Sequence, residues 1–118
     1  MGSLVFLNAV TSTGASGAKE FRRLVDSHAL QVTITGAPSA VTVTLEGSLD
    51  GTTFSTISTH AMSAGELTAT KALYFDVDMP VLWVKANLTV LTGGTAPTVT
   101  VTYAGDTSGS EKAGRGIY

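Results

Sequence analysis

The residues best placed by type and spacing to do chemistry are Asp76 and Asp78, in the run Leu73-Tyr74-Phe75-Asp76-Val77-Asp78. On an extended strand, side chains two apart point to the same side. Such a pair could serve a glycosidase or hold calcium. Alternation accounts for them without any chemistry: Leu73, Phe75 and Val77 take one face, and Tyr74, Asp76 and Asp78 take a solvated face opposite. That second reading is preferred. The histidines are His28 and His60. A zinc site wants at least three ligands, and neither His-x-x-x-His nor His-Glu-x-x-His occurs. His28, two residues after Asp26, reads as a surface contact at the start of a strand.

Serine, histidine and aspartate are all present, but no Gly-x-Ser-x-Gly elbow is, and a triad is defined by geometry. Gly93-Gly94 runs into Thr95-Ala96-Pro97 and meets no lysine, so it lacks the features of a phosphate loop. Asn87-Leu88-Thr89 matches a glycosylation sequon without a secretory signal to make use of it. Trp83, with Tyr74, Phe54 and Tyr103 as possible neighbours, could stack sugars if exposed; a lone tryptophan among valines better fits a core or an interface. The expectation is a protein that is not an enzyme, with no catalytic residue, cofactor or metal.

Composition narrows the class. At 118 residues the chain is one domain by length. Apolar residues make up 43%, enough to build a core, while charged residues are only 14%. Threonine and serine, about a quarter of the chain, supply the polarity and suit strands and turns. A net charge of −2 with scattered signs, and an Arg22-Arg23 pair too short for a basic patch, argue against nucleic acid or anionic lipid as a partner. Without cysteine there are no disulfides, thiolate sites or cysteine nucleophiles. No apolar run approaches the roughly 20 residues of a membrane span. The start lacks a basic signal region, and Phe6 stands where a myristoylation motif needs serine or threonine. Synthesis in a cytoplasm is therefore expected.

Strand signals recur along the chain. Leu30, Val32 and Ile34 alternate with polar residues, as do Val41, Val43 and Leu45; Phe54 to Thr59 is a weaker ribbon. Leu73 to Val77 follows, then Val81 to Val90 with Leu82, Val84, Ala86, Leu88 and Val90 on one side, then Val99, Val101 and Tyr103. Period two throughout predicts half-buried antiparallel strands. Asp50-Gly51 favours a tight hairpin. The fold expected is all-β, an antiparallel β-sandwich or barrel-like fold of about seven to eight short strands. Residues 17–30 are the rival segment: Phe21, Leu24 and Val25 have helical spacing, with Ser16 and Glu20 near capping positions. No glycine stops it before the next strand and it is short for a stable helix, so extended structure is favoured over helix.

Three regions are expected: an N-terminal strand or arm at 1–20, the sandwich at 21–104, and a flexible C-terminal tail at 105–118. The tail ends on Ile117 and Tyr118, apolar against a polar and glycine-rich background.

The stretch Val41-Thr-Val-Thr-Leu-Glu-Gly-Ser-Leu-Asp-Gly-Thr-Thr-Phe54 resembles a pattern in small structural proteins of tailed bacteriophages, Val-x-Leu-Glu-Gly-Ser-x-Asp-Gly before threonine or asparagine and an aromatic. The ribbon Ala29 to Gly36 and the run Val81 to Val101 are similar to the same group, so the likeness spans about Ala29 to Tyr103. Phe54 stands where tryptophan is common. The resemblance implies a head decoration (cement) protein on the outer surface of the virion head. Its implied partners are the major capsid protein or other virion proteins, and copies of itself, with a trimer favoured. A tail, neck or fibre-base component and a carbohydrate-binding module are the alternatives. Leu4, Val5 and Phe6 in the first arm and Arg115, Ile117 and Tyr118 in the last are the candidate interface residues. The alternating apolar faces need covers: this subunit's own second sheet for some, neighbouring copies or a shell for the rest.

Overall fold

The computed structural model describes residues 3–106. Nine strands and one short helix follow in order: β1 (Leu4–Val10), β2 (Gly14–Ala15), β3 (Lys19–Val25), β4 (Ser27–Thr35), β5 (Ala40–Ser48), β6 (Ser55–Ala61), α1 (Ala64–Ala69), β7 (Lys71–Asp76), β8 (Val81–Thr92) and β9 (Thr98–Asp106). They form two antiparallel sheets that do not close into a barrel. Sheet A has the order β1-β9-β4-β7; sheet B has the order β2-β8-β5-β6, with β3 also paired to β8. The all-β expectation holds, with two short strands more than the lower count.

Alternation builds the core. Leu30, Val32 and Ile34 of β4 and Val99, Val101 and Tyr103 of β9 point inward from sheet A, and Val41, Val43, Leu45, Val84, Ala86 and Leu88 meet them from sheet B. Each valine or leucine so buried contributes about 1.5–3 kcal/mol relative to exposure. The β4–β9 register, Leu30 opposite Tyr103 and Val32 opposite Val101, runs without interruption and fixes which face is inner.

Alternation is broken on the longest strand, β8. Val43 pairs with Leu88 but Thr42 with Val90, so Thr89 is an extra residue on β8. This β-bulge turns Val90 off the inner face, and Leu91, opposite Val41, packs against the core in its place. Residues 17–30 are extended, as favoured. A spacing of four is even, so Phe21 and Val25 share a face on a strand as well as on a helix; both are buried, while Leu24 is turned out.

The helix α1 was not expected from the sequence. Its signal is a capping box: Ser63 Oγ accepts from Glu66 N–H, and Glu66 Oε1 accepts from Ser63 N–H. The latter bond holds the Glu66 carboxyl below its usual range.

The Asp50-Gly51 segment is not a two-residue hairpin but a loop spanning residues 49–54. Ser48 Oγ accepts from the N–H groups of Asp50 and Gly51, and Asp50 Oδ1 accepts from those of Thr52 and Thr53. Gly51 has φ 77°, and a Cβ there would lie 2.6 Å from the Trp83 ring, so no other residue fits. The Thr53 and Thr52 amides draw the Asp50 pKa from 3.8 to about 2. A depressed carboxyl pKa contributes stability above the unfolded value that is lost as pH falls through the folded one. The stability difference between wild type and Asp50→Asn should therefore be constant above about pH 5 and shrink as pH falls from about 4 towards 2; thermal melts across that range check it.

Strands extend into both ends of the described chain. β1 is hydrogen-bonded along β9, with Leu4 opposite Tyr103, and Gly14 and Ala15 pair with Leu88 and Asn87, so most of the first twenty residues are built into the sheets. β9 continues to Asp106, past the boundary at 104, because Ser27 and His28 of β4 pair with Asp106 and Gly105.

Candidate interaction surface

β6 and β7 are the edges of different sheets on one side of the sandwich, and a polar cluster joins them. Ser58 Oγ–H donates to Asp76 Oδ2 at 2.8 Å, and His60 Nε2 lies 2.9 Å from the same oxygen and 3.1 Å from Ser58 Oγ. The His60 ring stacks on Tyr74 at 4.2 Å, and Tyr74 O–H donates to Glu66 of α1 at 3.0 Å. Partial burial, with the Glu66 contact, raises the Tyr74 hydroxyl to about 12, so it stays a donor at all ordinary pH. Serine, histidine and aspartate do meet here. A relay, however, needs the two ring nitrogens to face different partners, whereas one nitrogen of His60 faces both Ser58 and Asp76. The arrangement is a brace between the sheets. Asp76→Ala should cost about 1–3 kcal/mol by leaving two shielded donors without their acceptor, measured as a lower urea midpoint.

Asp76 is thus not on a solvated face, and it does not converge with Asp78, which sits beyond β7 at φ 61°. Among the described residues no group of three or more potential metal ligands is gathered. His28 is also placed differently from the surface contact expected: it is 2% exposed. Its Nε2 lies 3.0 Å from the Met79 carbonyl, which only accepts, so Nε2 carries the proton. Nδ1 is then the acceptor for Tyr103 O–H at 2.7 Å. Burial pushes the Tyr103 pKa well up. Among the described residues no buried side-chain polar atom lacks a partner.

The outer faces of the two sheets differ in character. On sheet B, Glu46 lies 3.7 Å from Lys85 and accepts from Asn87, and Lys85 sits 4.4 Å over the Phe54 ring. Trp83 is half-buried against the Gly51 loop. That face is polar and covered by its own loop.

One end of the outer face of sheet A is apolar and open, while Thr33, Lys71 and Thr100 make the rest of it polar. Since Ala72 and Tyr74 point inward, Leu73 and Phe75 point out, 56% and 68% exposed, the reverse of the buried role alternation gives such residues on a two-sheet protein. Register places them in rows: Leu73, Gln31, Thr102 and Val5 lie side by side, with Phe75, Ala29 and Ala104 in the next row. Val77 stands at the end, and four of the six large apolar side chains exposed among the described residues, Val5, Leu73, Phe75 and Val77, lie on this surface; Leu24 and Leu49 do not. Ala29 and Ala104 are small, so the middle of the face is a trough. Two open clefts of about 280 and 310 Å³ share those alanines, one reaching Asp106 and Val77, the other Leu73 and Ser3.

Of the interface candidates, Val5 is on this face, while Leu4 and Phe6 are partly buried against the core, Phe6 5.2 Å from the Tyr103 ring. Arg115, Ile117 and Tyr118 lie outside the described residues. The sequence did not single out Leu73 and Phe75 as interface residues. The signal was there in the strand before them: Ala29 and Gln31, not large apolar residues, occupy the outer face of β4 and leave them uncovered.

The fold is a two-sheet antiparallel β-sandwich, braced at one side and presenting an apolar patch on one outer face. No family model matches the chain, and no curated protein matches it. Among solved structures it is similar in fold to the crystal structure of the SPBc2 prophage-derived protein YomS, with a TM-score of 0.54 and 13% sequence identity, over 86% of this chain and 88% of that one.

Proposed function

We propose that this chain is a structural component of a tailed-phage particle, a decoration (cement) protein that binds neighbouring major capsid subunits on the outside of the head. It acts by adhesion, as a homo-oligomer with a trimer favoured, and not by catalysis. The sequence pattern from Val41 to Phe54 and a fold shared with a prophage-derived protein support the class. The observation that carries the adhesive role is the apolar patch on the outer face of sheet A. Exposed patches of this kind, rimmed by polar groups, mark interaction sites on soluble proteins. A capsid repeats its surface many times, so each copy can bind modestly and the ensemble still holds through avidity. Mixing the purified protein with undecorated heads tests the reading: saturable binding and greater heat resistance of the heads are expected. Heads that neither bind it nor gain resistance would overturn the cement role, and recovery in purified tails would move the protein elsewhere on the particle.

A further inference from the structure

A sheet edge is a row of unmet N–H and C=O groups that pairs readily with a matching strand, and proteins blunt it with bulges, very short strands or proline. Three edge strands here are blunted by extra residues of their own: β1 against β9, β3 against β8 and β6 against β5. A fourth, β2, is two residues long. The remaining edge, β7, has none of these devices. Its six residues pair with β4 without a shift, no proline interrupts them, and the one lysine stands at the first position. Ile34 N–H donates to the Thr70 carbonyl, so Thr70, Ala72, Tyr74 and Asp76 turn their main-chain groups towards β4. Lys71, Leu73 and Phe75 turn theirs to the open side, and among the described residues no hydrogen bond reaches them there. We infer that the β7 edge pairs antiparallel with β7 of a second copy of this chain, about a two-fold axis at Tyr74.

Register, faces and charge agree on that occupant. Open main-chain positions must meet open positions, and an axis at Tyr74 does this: Leu73 falls opposite Phe75 of the second copy, and Lys71 opposite its Val77. Residues directly opposite share a face, so Leu73 and Phe75 of both copies form one apolar row on the outer surface. At each end of the row Lys71 of one copy stands beside the exposed Val77-Asp78 of the other, opposite charges at the same place. The two lysines are as far apart as Lys71 and Val77, about 20 Å at a strand rise of roughly 3.3 Å, so like charges do not meet. Tyr74 and Asp76 keep their inward contacts with His60. A contact that uses the same edge on both copies closes at two subunits, and β1 at the far side of sheet A stays free for a three-fold contact. Pairing does not depend on adhesion to a head, but on that reading it doubles the apolar patch each bound unit offers.

The chain has no cysteine, so a nitroxide can be placed singly through Thr33→Cys in the full-length protein, at an exposed position level with Lys71 on the neighbouring strand. Across the paired edges two such labels stand three strand spacings and six residues apart, about 25 Å between Cα atoms. Pulsed electron–electron resonance should show a peak near that separation, and sedimentation velocity should show the monomer giving way to larger species as concentration rises. Leu73→Pro removes an open N–H without touching the β4 ladder and should abolish the peak. Lys71→Glu, an exposed change that spares the fold, should weaken pairing severalfold by setting like charges side by side, and it decides the matter if the proline variant fails to fold. A protein that stays monomeric at all concentrations, labels without this separation, or a peak unchanged by Lys71→Glu and by a folded Leu73→Pro would each overturn the pairing. All of this is read on free subunits, so failure here leaves the head-binding result untouched.

Discussion

Tyr103→Ala is expected to be the most damaging single substitution in the core, lowering the unfolding free energy by about 3–5 kcal/mol, the range for deleting a buried aromatic. Three features concentrate on this one side chain. Its ring is 1% exposed and packs with Phe6, Phe21 and His28 at centroid separations of 5.2, 6.1 and 5.8 Å, tying β1, β3 and β4 to β9. Its hydroxyl is the donor that satisfies Nδ1 of the buried His28. And Gly105, two residues on, leaves the space its hydroxyl end occupies: a Cβ at that glycine would run into Tyr103 Oη and approach Val25 Cγ1 to 2.7 Å. A domain of this size has about 5–15 kcal/mol in total, so the alanine variant should sit near the edge of folding at 37 °C. Tyr103→Phe isolates the hydroxyl, keeping the packing and costing about 1–3 kcal/mol for the unsatisfied imidazole nitrogen. Gly105→Ala should also destabilise, although it deletes no atom, because the ring must shift to admit the added methyl group. Urea titrations of the three variants order them; a loss below about 1 kcal/mol for Tyr103→Ala would show that the surrounding strands can collapse onto the space.

This centre was only half legible in the sequence. Period two assigned Tyr103 to the inner face with Val99 and Val101, and it placed β4, β5 and β9 with their inner residues correctly, because β4 and β9 pair without interruption and the extra residue opposite β5 lies on β8. It failed where the pairing partner decides. His28 looks like a surface group beside Asp26 until β9 brings Tyr103 over it and the 77–80 connection brings the Met79 carbonyl. Val90 obeys the alternation, but the bulge at Thr89 exists only relative to β5. For β7, alternation correctly separated Leu73 and Phe75 from Tyr74 and Asp76, yet it could not say which set faces in. Hydrophobicity argues for the first set. The structure takes the second, since Tyr74 stacks on His60 and Asp76 receives Ser58 and His60 from the other sheet, a polar closure of an edge that one strand alone cannot announce.

That inversion leaves Leu73 and Phe75 as the place where function can be separated from folding. The double substitution Leu73→Glu and Phe75→Glu should leave stability within about 0.5 kcal/mol of wild type, because both side chains are already more than half in solvent. Binding to undecorated heads should fall at least about a hundredfold. Two large apolar side chains contribute about 1.5–3 kcal/mol each when covered, and roughly 3 kcal/mol corresponds to a factor above a hundred in Kd. Two carboxylates pressed into an apolar contact would deepen the loss. A matched control on the other face, Lys85→Gln, removes a charge from the polar surface of sheet B and should leave head binding unchanged. Cosedimentation with heads and a urea titration on the same preparations give both readings. Equal head binding by the double variant and wild type would assign the adhesive role to another surface.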